Sequence, residues 1–83
     1  MVELHLRMTS TEALERCLRE GLVIRSTRAL AGTRGGRHWH LGKPGRAGTL
    51  EISESGDRVW AKVHPLRDGG WAGEFARALA EGS

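Results

Sequence analysis

The sequence is short of cysteine and of long apolar runs, and each shortage excludes a class of protein. Cys17 is the only cysteine among 83 residues, so the chain cannot form an internal disulfide or a zinc site built from several cysteines. No apolar run approaches the roughly 20 residues of a membrane-spanning helix, and residues 1–7 alternate where a signal peptide would be apolar. We therefore expect a cytoplasmic protein that contacts no membrane, with Cys17 as a small core residue.

The length predicts a single domain over residues 1–83 with a thin core. A chain of 9.1 kDa buries roughly 60% of the surface that it exposes when unfolded. Cofactor cavities of about 300 Å³ or more are hard to fit inside such a core, so no cofactor is predicted. Any binding site is expected in a groove, on a face or at a dimer interface.

Two elements are predicted at the start of the chain. Alternating apolar residues indicate a strand over 2–8, and helical spacing indicates a helix over 10–20. Thr9 and Glu12 form a capping box at the start of that helix, and Gly21 ends it. Four apolar residues are predicted to face the core: Ala13, Leu14, Cys17 and Leu18.

The next two strands are predicted over 22–30 and 37–41. Paired glycines at 34–37 favour a type I′ hairpin turn, which would place Leu30 opposite Leu41. Trp39 would then share the face of these two leucines. Two arginines interrupt the alternation of the first of these strands, which indicates a bulge: Arg25 and Arg28.

Strands over 49–53 and 58–64 are predicted around a tight turn at Ser55-Gly56. That turn would set Ile52 opposite Val59, with Glu51 opposite Trp60 on the other face. Pro44-Gly45 suits the centre of a type II turn in the preceding loop. A last helix follows Asp68, and four of its residues are predicted to face the core: Trp71, Phe75, Ala78 and Leu79.

These elements predict an α+β fold in the order β-α-β-β-β-β-α. About five strands would form a mostly antiparallel sheet. Both helices would pack on one face of that sheet, because this arrangement buries the apolar stripes of helices and strands together.

Positive charge is concentrated in the middle of the chain. Residues 21–50 contain no acidic residue, and their six basic residues are Arg25, Arg28, Arg34, Arg37, Lys43 and Arg46. The residues before and after this segment are nearly balanced in charge. An uninterrupted basic segment beside aromatic residues is typical of proteins that neutralise phosphates and stack bases, although arginines on loops are often only solvated.

Two histidines, His38 and His40, stand two apart on a predicted strand and would share one face. Imidazoles at this spacing can chelate a metal, with a third ligand from His64 or Glu51 if the strands pair suitably. Two histidines alone are a weak signal, and both would equally suit exposed polar positions on a sheet. No metal is therefore predicted.

The sequence does not establish a function, and three hypotheses follow from it. The first is a non-enzymatic module that binds RNA or single-stranded DNA through residues 25–46, with His40 or Trp60 stacking on bases. The second is a protein-interaction module or a homodimer that uses Trp60 on the outer sheet face. The third is a small enzyme, which would need a cleft with His38, His40 or His64 beside an acid. No nucleophile stands in a recognisable motif, which argues against the third hypothesis. The six basic residues without an intervening acid make the first hypothesis the leading one.

Overall fold

The computed structural model describes residues 2–29 and 36–82, and five of its strands form one antiparallel sheet. The elements are β1 (Val2–Leu6), α1 (Ser10–Arg19), β2 (Val23–Ala29), β3 (Arg37–Gly42), β4 (Leu50–Ser55), β5 (Arg58–Val63), a short 3-10 turn (Pro65–Arg67) and α2 (Ala72–Glu81). The strand order is β1-β5-β4-β3-β2, so the first strand and β2 form the two edges. The α+β class and the predicted element order are confirmed.

Both helices pack on one face of the sheet and form the core with it. Alternate residues of the strands point to that face, because successive side chains of a strand point to opposite sides. The core residues are Leu6, Ala13, Cys17, Leu22, Leu41, Leu50, Ile52, Val59, Ala61, Val63, Trp71, Ala72, Ala76 and Leu79. Within the described residues, no helix combines the length and the apolar character that crossing a membrane requires.

The first helix has the predicted ends but a narrower buried face. The Thr9 side chain accepts a hydrogen bond from the Glu12 amide, and Gly21 has the left-handed φ of 89° that ends the helix. Ala13 and Cys17 are fully buried. The prediction for Leu18 is wrong, because this residue lies about 140° from Ala13 around the helix axis and is 49% exposed.

The last helix is rotated relative to its predicted face. Trp71 and Leu79 are buried, but Ala78 is exposed, so that part of the prediction is wrong. The small residues Ala72 and Ala76 face the sheet instead, and their size allows the helix to approach the strands closely. Hydrophobic spacing alone could not distinguish these alanines from Ala78.

The turn of the β4–β5 hairpin lies one residue later in the chain than predicted, which changes the register of the two strands. Ser55 pairs with Arg58, so the turn consists of Gly56 and Asp57. Gly56 has φ 58° at the first central position, where type II′ turns place glycine. Ile52 therefore lies opposite Ala61 and not opposite Val59. The shift moves each pairing by two residues and leaves every side chain on its predicted face.

Glu51 changes its partners in the same shift. It lies opposite Lys62 on β5, and the predicted pairing with Trp60 is wrong. On its other side Glu51 lies opposite His40 of β3. Glu51 therefore has His40 opposite it on one neighbouring strand and Lys62 opposite it on the other.

The β2–β3 register also differs from the prediction. Leu41 lies opposite Ile24 and not opposite Leu30, because Ala29 pairs with Arg37 and leaves residues 30–36 between the two strands. Most of the predicted glycine turn lies outside the described residues. The predicted bulge is confirmed by a register shift between Ile24 and Ser26. Trp39 shares the helix-bearing face with Leu41, as predicted, and packs against the core.

The loop after β3 contains the predicted type II turn. Gly45 has φ 77°, and the Arg46 amide donates to the Lys43 carbonyl at 3.0 Å. The indole N–H of Trp71 donates to the Ala47 carbonyl at 2.8 Å. This bond attaches the loop to the start of α2.

Candidate functional site

The candidate site is the sheet face opposite the helices, called here the open face. Neither helix covers it, and its side chains are the strand residues that alternate with the core. They are Glu3, His5, Val23, Ser26, Arg28, His38, His40, Glu51, Ser53, Ser55, Arg58, Trp60 and Lys62. The face is therefore mostly polar and rich in cationic and imidazole groups.

A histidine cluster, formed by His38, His40 and Glu51, lies on β3 and β4 near the middle of this face. His40 and Glu51 are directly opposite each other, and His38 lies two residues along β3 on the same side. His38 Nδ1 is 3.0 Å from Glu51 Oε1, and His40 Nε2 is 3.6 Å from Glu51 Oε2. One potential ligand atom from each residue lies within 4.8 Å of the other two.

The histidine cluster is oriented from the neighbouring strand β2. Ser26 Oγ lies 2.8 Å from His40 Nδ1, so the hydroxyl holds the ring with Nε2 toward Glu51. The bulge before Ser26 sets the register that brings this hydroxyl opposite His40. Ser26 thus determines which nitrogen of His40 is available to a ligand.

His38 is the least satisfied member of the cluster. Its two ring nitrogens are shielded from solvent and have no hydrogen-bond partner within the described residues. Nδ1 is close to Glu51 but lacks hydrogen-bond geometry toward it. A shielded polar group without a hydrogen bond is unfavourable, and the described residues offer His38 only the nearby carboxylate of Glu51.

A cavity of about 230 Å³ opens beside the cluster. Its lining residues are His40, Thr49, Glu51, Lys62, His64 and Arg67. His64 accepts a hydrogen bond from the Leu66 amide through Nδ1, which fixes its ring at the start of the 3-10 turn. The cavity is large enough for water or a small anionic group, and it contacts two of the three cluster residues.

A second feature of the open face is an aromatic and cationic patch on β5. Trp60 is half-buried and lies between His5 of β1 and Ser53 of β4. The guanidinium carbon of Arg58 is 5.0 Å from the centre of the Trp60 ring, which is within cation–π distance. The row from His5 to Arg28 crosses the whole sheet, a width of about 19 Å at the usual strand spacing.

The basic residues predicted to act together lie on different sides of the sheet in the structure. Arg28 lies on the open face opposite His38. The Arg25 guanidinium lies over Gly42, in the space that a Cβ there would occupy, and so reaches the same face. Arg37 lies on the helix-bearing side, because it alternates with His38 and lies opposite Glu54.

The remaining predicted cations are away from the open face or outside the described part. Lys43 lies beside α2, where it lines a cavity with Trp71 and Glu74. Arg46 donates to the Gly69 carbonyl at 3.1 Å. Arg34 lies outside the described residues. Of the predicted contact residues, the structure brings together on the open face Arg25, Arg28, His40 and Trp60.

Sequence reasoning found this face only in part. Alternation within the β5 strand correctly placed Arg58 and Lys62 beside Trp60 on the outer face, but they were not among the predicted contact residues because they lie outside the basic segment. His5 was missed, since its place on this face depends on the pairing of β1 with β5. Ser26 could not be found, because its contact with His40 depends on the bulge in β2.

Cys17 lies away from the open face. The thiol is fully buried against the sheet, and burial raises its pKa from 9.0 to about 12. A buried, protonated thiol is a poor nucleophile and a poor metal ligand at neutral pH. This agrees with its expected role as a small core residue.

Comparison with known proteins adds no assignment: no protein-family model, no characterised protein and no solved structure matches this chain. Any functional conclusion therefore rests on the open face itself. Two features of that face carry chemistry, the patch around Trp60 and the histidine cluster.

Proposed function

We propose that this protein is a binding module that contacts single-stranded nucleic acid, most simply RNA, through the open face. The observation that supports this is Trp60, a half-buried indole in the middle of β5 with Arg58 stacked near it. Both helices lie on the other side of the sheet, so bases can reach this ring. Base stacking on an aromatic residue contributes about 1–3 kcal/mol per base and tolerates any sequence.

Cations around Trp60 supply the second part of the interaction. Arg58 and Lys62 flank it on the same strand face, and Arg28 and Arg25 lie toward the β2 edge. A strand of nucleic acid that crosses the sheet would meet cations on both sides of the indole. Their contacts with phosphates release counterions, which makes binding strongly dependent on salt.

The open face therefore replaces the linear basic segment as the proposed contact surface. Arg25, Arg28 and His40 belong to both. Arg37 and Lys43 belong only to the segment, because they lie on the helix side. This difference allows the two surfaces to be separated by experiment.

The test is the affinity for a fluorescently labelled single-stranded oligonucleotide, measured by anisotropy over a series of salt concentrations. We expect saturable binding that weakens with salt. The double variant Arg28→Ala/Lys62→Ala should weaken binding and reduce the slope of log K against log salt by about 1.4, because two phosphate contacts are lost. Trp60→Leu should weaken binding with little change in slope.

The matched control is Arg37→Ala/Lys43→Ala, which removes the same charge from the helix side. It should change affinity much less than the open-face pair. Equal losses in both pairs would show that overall charge and not this face binds the oligonucleotide. No binding by the wild-type protein at low salt would refute the proposal.

Self-association through the same face is the alternative outcome of this experiment. It predicts a dimer mass in solution that Trp60→Asp reduces to that of the monomer, with no effect of oligonucleotide. We also propose that the protein works in the reducing cytoplasm, whichever of the two functions it has. Its one thiol is buried and has no cysteine partner, so the fold needs no disulfide.

A further inference from the structure

We propose that the histidine cluster binds one divalent transition-metal ion, zinc by its ligand type, with His38, His40 and Glu51 as the protein ligands. Two imidazoles and one carboxylate are a set that holds zinc while leaving a fourth position open. The inference does not depend on nucleic-acid binding, because the ligand is different and, of the three side chains, only His40 is also a predicted nucleic-acid contact.

The distances in the cluster suit a shared ion. Ligands of a tetrahedral zinc ion lie about 3.4 Å from one another, since each bond is about 2.0–2.2 Å long. The two measured separations from Glu51 oxygens are 3.0 Å to His38 and 3.6 Å to His40. All three ligand atoms lie within 4.8 Å of one another, and rotation of side chains on β3 and β4 would bring them to this spacing with no change in the sheet.

The contact between His38 and Glu51 points to a third atom between them. His38 Nδ1 and a Glu51 oxygen are close, yet no hydrogen bond of normal geometry joins them. Two ligands of one ion have this relation, because each directs its lone pair at the metal and not at the other. A metal would also give the solvent-shielded Nδ1 of His38 the partner that it lacks.

Ser26 supplies the outer contact that metal-binding histidines usually have. Its hydroxyl is 2.8 Å from His40 Nδ1, and when it accepts the Nδ1 proton the Nε2 lone pair is free to bind a metal. The adjacent cavity of about 230 Å³, lined in part by Lys62 and Arg67, has room for a water molecule or an anion at the open position.

The test titrates the chelator-treated protein with ZnCl₂ by calorimetry and with Co²⁺ by visible absorption. We expect one bound ion per chain and a Co²⁺ spectrum typical of a low coordination number. The melting temperature should rise when Zn²⁺ is added and fall to its original value when a chelator removes the ion. His40→Asn should weaken binding by at least about 100-fold, and Ser26→Ala by about 10–100-fold, as losses of outer-contact residues do.

The matched control is His5→Asn, which removes an imidazole outside both the cluster and the adjacent cavity and should leave affinity unchanged. If the ligand variant His40→Asn does not fold, the titrations of the wild-type protein and of Ser26→Ala still test the proposal. Two results would overturn the proposal. One is the absence of saturable binding by the wild-type protein, and the other is an equal loss of affinity in His5→Asn, which would indicate scattered surface sites.

Discussion

The two faces of the sheet are built from the same strands of five to seven residues, yet different physical requirements select their side chains. The face under the helices carries Leu50, Ile52 and Ala61, all with no exposed surface. The open face carries Glu51 and Lys62 on the same two strands, and His38 and His40 on the neighbouring β3. The covered face is fixed by the need to bury apolar surface, whereas the open face is free of that need.

This difference explains where function can lie in so small a protein. A core of this size leaves little room for an enclosed ligand cavity, and the fully buried side chains of the covered face are committed to packing. The open face can hold an unsatisfied His38 and a half-buried Trp60 because the covered face supplies the stability. Polar groups that cost stability on a face not needed for folding are candidates for function.

The largest effect should come from breaking the covered face. Leu50→Ala removes a fully buried side chain beneath the helices and should cost about 2–5 kcal/mol of unfolding free energy. Lys62→Ala, on the open face of the neighbouring strand, should change stability by about 0.5 kcal/mol or less. Urea denaturation followed by circular dichroism measures both. Similar losses in the two variants would contradict the division between the faces.

The next effect concerns Cys17, the titratable group that is fully buried between helix and sheet in the described part of the chain. Burial raises the pKa of Cys17 from 9.0 to about 12, so the folded protein keeps a proton that the unfolded chain releases above pH 9. The contribution to stability is complete below pH 9 and is lost as the pH rises toward 12, by up to about 1.4 kcal/mol per pH unit.

Comparison with Cys17→Ala isolates this effect from other titrating groups. The wild-type protein should lose stability more steeply than the variant between pH 9 and about 12 in urea denaturation. In the same protein the thiol should react with a thiol reagent only on unfolding. Parallel pH profiles for the two proteins, or rapid reaction in the native state, would show that the covered face is open to solvent at Cys17.

The sequence allowed the prediction of features that depend on neighbouring residues. The cap at Thr9, the left-handed Gly21 and the type II turn at Gly45 each need only a few adjacent side chains, and the structure contains all three. Alternation also placed Trp60 and Ile52 on the correct faces. These features are local, so no knowledge of the rest of the chain is required.

Register and helix rotation could not be predicted, because they depend on contacts between distant parts of the chain. The choice between Ser55-Gly56 and Gly56-Asp57 as the turn decides whether Glu51 lies opposite Trp60 or Lys62. The histidine cluster depends on register in the same way. From the sequence, Glu51 was one of two alternatives for a third ligand, and only the β3–β4 pairing selects it over His64.

The smallest effect should come from the open face itself. Arg58→Ala removes the cation near the Trp60 ring, a contact worth about 0.5–1 kcal/mol at an exposed site. A double-mutant cycle with Trp60→Leu, measured by urea denaturation, should give a coupling energy in this range. Arg67→Ala, which removes a cation beyond the end of the strand, should show no coupling with Trp60→Leu.

The size of this coupling decides what the open face is for. A value of about 1 kcal/mol or less means that Arg58 and Trp60 can separate at little cost, so both remain available to a base and a phosphate. A coupling above about 2 kcal/mol would mean that the pair is part of the fold, as Leu50 is on the other side. The open face would then be a second structural surface, and the proposal for nucleic acid would lose its supporting observation.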